Sequence, residues 1–328
     1  MIELDPGKLP AGMELVNPFP VRRITHVFHD VDGTHSLIRN WVPVMTLCTG
    51  FVAQYGLPEA DDAPGMAAEI ARHTPEEFPE AHRFAVESAG LSALTQMEWA
   101  IRRALQNGVL RWPEVSAECN DAVVARIWAG GEDFDDIAEP PALRAKFGSF
   151  ATRLFQAYEI LLLQMGRDRN LADAKVHPER WRVAGSMEFL QYLSDCGVHN
   201  YFVTGAVVEY DEAGRTLGTM AEEVRTLGFG PGPGMPAEKL VGSTWHERLS
   251  KERIMIDLCR REHIAPEHLL IVGDGRGEIS AGKALNTVTL SRLPKEAARA
   301  REIHRELGTN LIAERFDLAG MRDFMRAV

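Results

Sequence analysis

Cysteine is scarce in this chain: Cys48, Cys119, Cys196 and Cys259 are the only four in 328 residues, and no two form a CxxC pair. That spacing offers neither a disulfide framework nor a zinc site, so buried free thiols are expected. No uninterrupted apolar stretch is long enough to span a membrane, and the start, Met1-Ile2-Glu3-Leu4-Asp5, lacks a basic region followed by an apolar one. A cytoplasmic protein with no membrane partner is therefore expected. Positive charge is also in deficit, with 36 Lys and Arg against 47 Asp and Glu and a net charge of -11. That balance, without any basic patch or stripe, argues against nucleic acid as a partner, and an anionic ligand would need a local positive site.

The remaining composition is that of a globular protein, 45% hydrophobic and 25% charged, and the length suits two domains. Residues 1–22 are rich in Pro and Gly and read as an arm leading into the first strand. Residues 23–35 hold one strand. From 36 to 179 the apolar residues recur at three- and four-residue spacing, in Ile38 to Tyr55, Leu91 to Leu105, Val115 to Trp128 and Leu143 to Met165, with no strand alternation between them. Beyond residue 180 helices and strands alternate, with strands expected at Asn200 to Val203, Leu269 to Val272, Thr287 to Leu290 and Asn310 to Ala313. Such alternation predicts a parallel, helix-covered α/β sheet of Rossmann-like form. The roughly 140 residues after strand one must carry structure of their own, so residues 36–179 are expected to be an inserted all-helical cap acting as a lid. The core is then 23–35 with 180–328.

The most informative segment is Ile24 to Thr34, an apolar run that ends Asp30-Val31-Asp32-Gly33-Thr34. A buried strand would deliver both carboxylates to the carboxyl edge of the sheet, where open α/β folds bind ligands. Like charges repel there unless a cation or a shared proton relieves them, and Mg²⁺ is the simplest relief. Three further features follow in chain order: Tyr201-Phe202-Val203-Thr204-Gly205; Lys251 at the start of an expected helix; and Leu269 to Asp274, with Glu278 four residues on.

These four features resemble the motifs of the haloacid dehalogenase-like (HAD) superfamily: DxDGT, a strand-end Thr or Ser, a Lys, and GDxxxD or GDxxxE. More narrowly, Asp30 to Trp41 is similar to a bacterial hydrolase subgroup in which the first motif runs on as DGTLSLIRxxW. His29 and His35 depart from that pattern, standing where an apolar residue and a leucine are usual. The helical insert resembles a C1-type cap by its position.

The resemblance implies a role for each motif residue. Asp30 would be the nucleophile that forms an aspartyl-phosphate, and Asp32 the acid and then the base for the two half-reactions. Lys251 would neutralise charge in the transition state, with Lys239 as its rival in the sequence. Thr204 and Gly205 would bind phosphoryl oxygens, and Ser36 and Arg39 would be further substrate contacts at the cap's mouth. Mg²⁺ would be held by Asp30, Asp32, Asp274 and Glu278.

Dehalogenation needs neither the metal acids nor Asp32, so it is not expected. The early-cap lysine of phosphonoacetaldehyde cleavage, and that of the β-phosphoglucomutase subgroup, is absent: no lysine occurs between Thr34 and Ala145. The expected function is therefore a Mg²⁺-dependent phosphatase acting on a small phosphorylated metabolite. A phosphotransferase or mutase of the same fold, or a catalytically silent binding protein, is the alternative.

Overall fold

A computed structural model describes residues 1–244 and 249–328. The chain divides into two units, Met1–Ile38 with Arg169–Val328, and Arg39–Asp168.

The first unit is built on strands β1 (Ile2–Leu4), β2 (Met13–Leu15), β3 (Arg22–Ile24), β4 (His26–His29), β5 (His199–Val207), β6 (Glu209–Tyr210), β7 (Thr216–Leu217), β8 (Lys239–Ser243), β9 (Leu269–Gly273), β10 (Val288–Arg292), β11 (Leu311–Ala313) and β12 (Met325–Ala327). Seven of them form one sheet in the order β2-β11-β10-β9-β4-β5-β8. All its pairings are parallel except that of β2 with β11 at one edge. Helices separate the parallel strands along the chain, as the alternation predicts.

Strand periodicity sets the two faces of β4. Val27 packs among Phe189 and Leu193 of the helix Ser186–Asp195, whereas Phe28 packs among Ile254, Met255 and Leu258 of the helix Lys251–Arg261. Both core clusters are closed to solvent, with Val27, Phe28 and Phe189 at 0% exposure. Two residues after Phe28, Asp30 returns to the face that carries the Lys251 helix.

Three expectations need correction. Residues 1–22 are no arm: β1 lies between β12 and β3 in a three-stranded antiparallel sheet, and β2 closes an edge of the main sheet. Ile2 and Leu4 are buried in the same cluster as Val27, a burial that three-residue strands are too short to announce by alternation. The edge strand β8 was also unanticipated, because Gly242 interrupts its apolar pattern. Finally, the helical unit covers 39–168 rather than 36–179. Leu171 and Ala174, on the helix Asp168–Ala174, pack with Val31, Ile38 and Phe202, so that segment belongs to the sheet-bearing unit.

The second unit contains the helices Trp41–Tyr55, Ala63–Ile70, Pro79–Glu87, Ala93–Gln106, Ala117–Trp128 and Pro141–Leu162. Side-chain oxygens start several of them: Asp62 accepts from Gly65 N–H at 2.7 Å, and Ser92 from Thr95 N–H at 3.2 Å. Inside, Trp99 stacks on Phe84 with ring centroids 3.7 Å apart. Arg102 is 1% exposed, lies over the Phe147 ring and forks onto Glu139 at 3.0 and 2.8 Å while reaching Glu98 at 2.9 Å. A buried guanidinium with two carboxylates and an aromatic face ties two helices and a loop into one body.

Candidate active site

The carboxyl edge of β4 gathers the charged residues. Asp30 N–H donates to Val272 O at 2.8 Å, which extends the β4–β9 ladder one residue past the end of β4. The chain then folds back tightly, with Val31 O accepting from both His35 N–H and Ser36 N–H at 2.9 Å and Ser36 O from Gly33 N–H at 3.0 Å. Gly33 is required twice over: its φ is +75°, and a Cβ there would stand 2.0 Å from Asp274 Oδ2. Because β9 pairs with β4 in register, His29 opposite Val272, Asp274 emerges beside that loop.

Lys251 begins its helix behind the Ser250 cap, whose hydroxyl accepts from Arg253 N–H at 3.1 Å. Its ammonium donates to Asp30 Oδ1 at 2.6 Å and to Glu278 Oε1 at 2.5 Å. Glu278 lies in the first turn of the helix Arg276–Leu285, and it can fold back only because residue 273 is glycine, where a Cβ would meet Glu278 Cγ at 2.2 Å. The Thr34 hydroxyl lies 3.2 Å from Asp30 Oδ2 and 3.5 Å from Asp274 Oδ1, so it spans the two aspartates. Lys239, the rival lysine, instead meets Glu262 at 2.5 Å and lies over the Tyr201 ring.

The site is short of positive charge. Asp30, Lys251 and Glu278 are 4%, 4% and 2% exposed, so water does little to screen them. Burial would lower the Lys251 pKa, but the Asp30 and Glu278 carboxylates overturn that and hold the ammonium charged well above the ordinary lysine range. Asp274 is pushed well above the usual carboxyl range, by burial first and then by the charges of Asp30 and Glu278. Burial likewise raises Glu278, against the pull of Lys251. One ammonium among three carboxylates leaves a site that a cation would relieve.

All the donors are oxygens, the set preferred by a hard divalent ion that keeps most of its waters. Glu278 Oε2 is buried with no hydrogen-bond partner. Among the described residues no three His, Cys, Asp or Glu side chains are grouped as an all-side-chain metal cage would need. The Asp30 and Asp274 pair, bridged by Thr34, is thus the best-placed donor set, with Glu278 committed to Lys251 through one oxygen.

The other expected contacts are placed differently. Thr204 and Gly205 do not end their strand: β5 runs on to Val207, and its register with β8 shifts between Val203 and Val207. Thr204, 2% exposed, accepts from Ala206 N–H at 3.1 Å and so keeps its own proton to donate. Asp32 is bridged through its backbone to Ser36. The Ser36 hydroxyl is buried and accepts from Ile38 N–H at 3.2 Å, a role inside the turn. Arg39 belongs to the helical unit, where it meets Glu159 at 3.4 Å.

Arg292 was missed. At the end of β10 it donates to Gly33 O at 2.9 Å and to Glu314 O at 3.0 Å, bracketing the Asp30 loop from the β10 side. Its only sequence signal is a cation at the carboxyl end of an apolar strand.

No family model matches the chain, and no curated protein matches it. Among solved structures it is similar to a predicted phosphatase from Clostridium acetobutylicum, with a TM-score of 0.52 and 12% identity over 92% of this chain and 98% of that one. The chain has the haloacid dehalogenase-like fold. A predicted phosphoglycolate phosphatase from Haemophilus somnus (TM-score 0.44, 13% identity, 89% and 95% covered) and a haloacid dehalogenase-like hydrolase from Streptococcus pneumoniae (0.39, 12%, 92% and 98%) superpose less well. In the HAD-like core the chain runs outward from β4 through β5 to β8, then crosses back to β9 on the other side of β4. The switch point of the sheet therefore lies between β4 and β9, and Asp30 and Asp274 flank it.

Proposed function

We propose that this protein hydrolyses a small phosphomonoester through an aspartyl-phosphate on Asp30. The observation that carries the reading is the buried Lys251–Asp30 contact of 2.6 Å at the sheet's switch point, with Asp274 beside it. Lys251 and Thr34 engage opposite oxygens of the Asp30 carboxylate, which fixes the group's plane and leaves lone pairs for attack on phosphorus. In the first step the Asp30 O–P bond forms as the ester O–P bond breaks, and Asp32 gives its proton to the departing alkoxide. In the second, Asp32 takes a proton from water, whose oxygen displaces the Asp30 carboxylate from phosphorus. Lys251 offsets the charge on the phosphoryl oxygens in both steps, and the Thr204 hydroxyl and Gly205 N–H are assigned to the same oxygens.

Asp30 and Asp274 would hold Mg²⁺, together with the backbone carbonyl of Asp32, and Glu278 would stand behind it. When bound, the ion polarises the phosphoryl group and neutralises the carboxylates around it. Its fit rests on the all-oxygen donor set and on the excess of carboxylates over ammonium.

Water rather than a sugar hydroxyl is assigned as the acceptor because no lysine occurs between Thr34 and Ala145, where the mutase-type insert carries one. Phosphate release from a panel of small phosphomonoesters, with and without Mg²⁺, tests the reading. Stoichiometric free phosphate that depends on Mg²⁺ supports it, transfer to an added sugar in place of release supports the mutase chemistry, and no turnover of any ester refutes both.

A further inference from the structure

Two fully buried histidines stand at the two ends of the loop that carries Asp30. His29 directly precedes Asp30 and His35 directly follows Thr34, both at 0% exposure. His29 Nδ1 lies 3.1 Å from His35 Nε2, so one hydrogen bond closes the loop from behind. His29 Nε2 reaches Asn200 Oδ1 at 3.0 Å, and His35 Nδ1 reaches Ser186 Oγ at 3.1 Å. The His35 ring is stacked on Phe316, centroids 4.8 Å apart and planes 6° from parallel.

Full burial disfavours a charged ring, and with both imidazoles neutral the direction of every bond in this chain is determined. Asn200 Nδ2 donates to Leu190 O and Pro236 O at 3.2 and 3.1 Å, so Oδ1 is the atom that faces His29 and can only accept. His29 therefore carries its proton on Nε2 and accepts at Nδ1. His35 must donate from Nε2, which leaves its Nδ1 to accept from the Ser186 hydroxyl. Each ring is a neutral imidazole of one tautomer, with both nitrogens satisfied and no freedom to turn.

We propose that His29 and His35 are positioning residues for the reaction at Asp30, holding the Asp30–Thr34 loop at its working distance from Asp274 and Lys251. The inference rests on the phosphatase reading above. Packing alone would not require imidazoles, since two apolar side chains could fill the same space between Phe189, Phe202 and Phe316. A directional bond adds resistance to the repulsion that pushes the Asp30 and Asp274 carboxylates apart. Backbone hydrogen bonds within residues 31–36 shape the loop, whereas the histidine pair ties it to β4.

The test compares wild type with His35→Leu, His29→Leu/His35→Leu and His35→Gln, reading kcat and KM on para-nitrophenyl phosphate together with the melting midpoint. The double variant replaces both rings by apolar groups and orphans Asn200 Oδ1 and the Ser186 hydroxyl, so its melting midpoint is expected to fall; assayed well below that midpoint, its kcat is expected to drop about 10- to 100-fold at a KM within about twofold of wild type. His35→Gln, which keeps a donor toward His29, is expected to retain a kcat well above that of His35→Leu. Should the double variant not fold, the Gln and Leu variants alone decide, and equal kcat values overturn the proposal. An undiminished kcat in a folded double variant also overturns it and leaves the phosphatase reading standing. A wild type without turnover refutes that reading and, with it, the positioning role.

Discussion

Lys251 Nζ stands 2.6 Å from Asp30 Oδ1, although 221 residues separate the two in the chain. Both side chains are buried, and the ammonium also meets Glu278. Lys251→Met would leave two buried carboxylates without a counter-charge and the phosphoryl oxygens without their cation. A loss of about 10²- to 10³-fold in kcat is expected, measured by phosphate release. A Met variant as active as wild type would mean that the contact is structural only.

Gly33→Ala tests how closely the first loop and Asp274 are fitted together. The new methyl would sit 2.0 Å from Asp274 Oδ2 at a φ of +75°, so either the loop or the carboxylate must shift. The backbone cost alone is about 1–2 kcal/mol. A lower urea midpoint with weakened Mg²⁺ binding, read by calorimetry, is the expected pair of effects. Unchanged metal binding would contradict the assignment of Mg²⁺ to the cleft between the Asp30 loop and Asp274.

The buried imidazole of His29 gives a pH signature with a definite sign. Burial lowers its pKa to about 4, against 6.5 for a free histidine, so across that window the unfolded chain binds a proton that the folded chain does not. Stability from this ring is fully present above about pH 6.5 and is lost as the pH falls towards about 4, an effect on the order of 3 kcal/mol. Asp274 and Glu278 have raised pKa values and act in the opposite sense, so the informative quantity is the difference between wild type and a His29→Leu/His35→Leu variant. Urea midpoints taken at about pH 7 and about pH 5 should fall further on acidification in wild type than in the variant. Equal falls would contradict the neutral, buried ring.

In the helical unit, Arg102→Met removes the counter-charge from Glu98 and Glu139 while roughly keeping the apolar stem that lies against Phe147. Breaking a buried ion pair from one side costs about 3–5 kcal/mol. Thermal unfolding should show a matching drop in midpoint. A midpoint within a degree or two of wild type would contradict the claim that this ion pair holds the helical unit together.

Much of this arrangement is legible in the sequence, and the reason is local. Three of the four motifs sit at strand ends or helix starts, where alternation and capping signals are clearest, and parallel strand order then brings Asp30, Asp274 and Lys251 together; Thr204 and Gly205 lie inside β5 instead. What escaped notice depended on long-range pairing. Strands β1 and β2 are three residues long, and only their partners β12 and β11 make them strands. The link between His29 and His35 was hidden for a related reason: six residues apart, they match no metal-ligand spacing, and only the reversal at Gly33 brings their rings into contact. Arg292 acts through the Gly33 carbonyl, 259 residues away in the chain, a partner that no local pattern reveals.

The central claim is that Asp30 carries the phosphoryl group during turnover. Acid quenching of the wild-type enzyme during steady-state hydrolysis of a phosphomonoester, followed by mass spectrometry of the peptide containing residue 30, tests it most directly. The account predicts one added phosphoryl group on Asp30 in wild type, and neither that adduct nor phosphate release in Asp30→Asn. Phosphate release at the wild-type rate from Asp30→Asn, or steady turnover with the phosphoryl group on another residue, would contradict it.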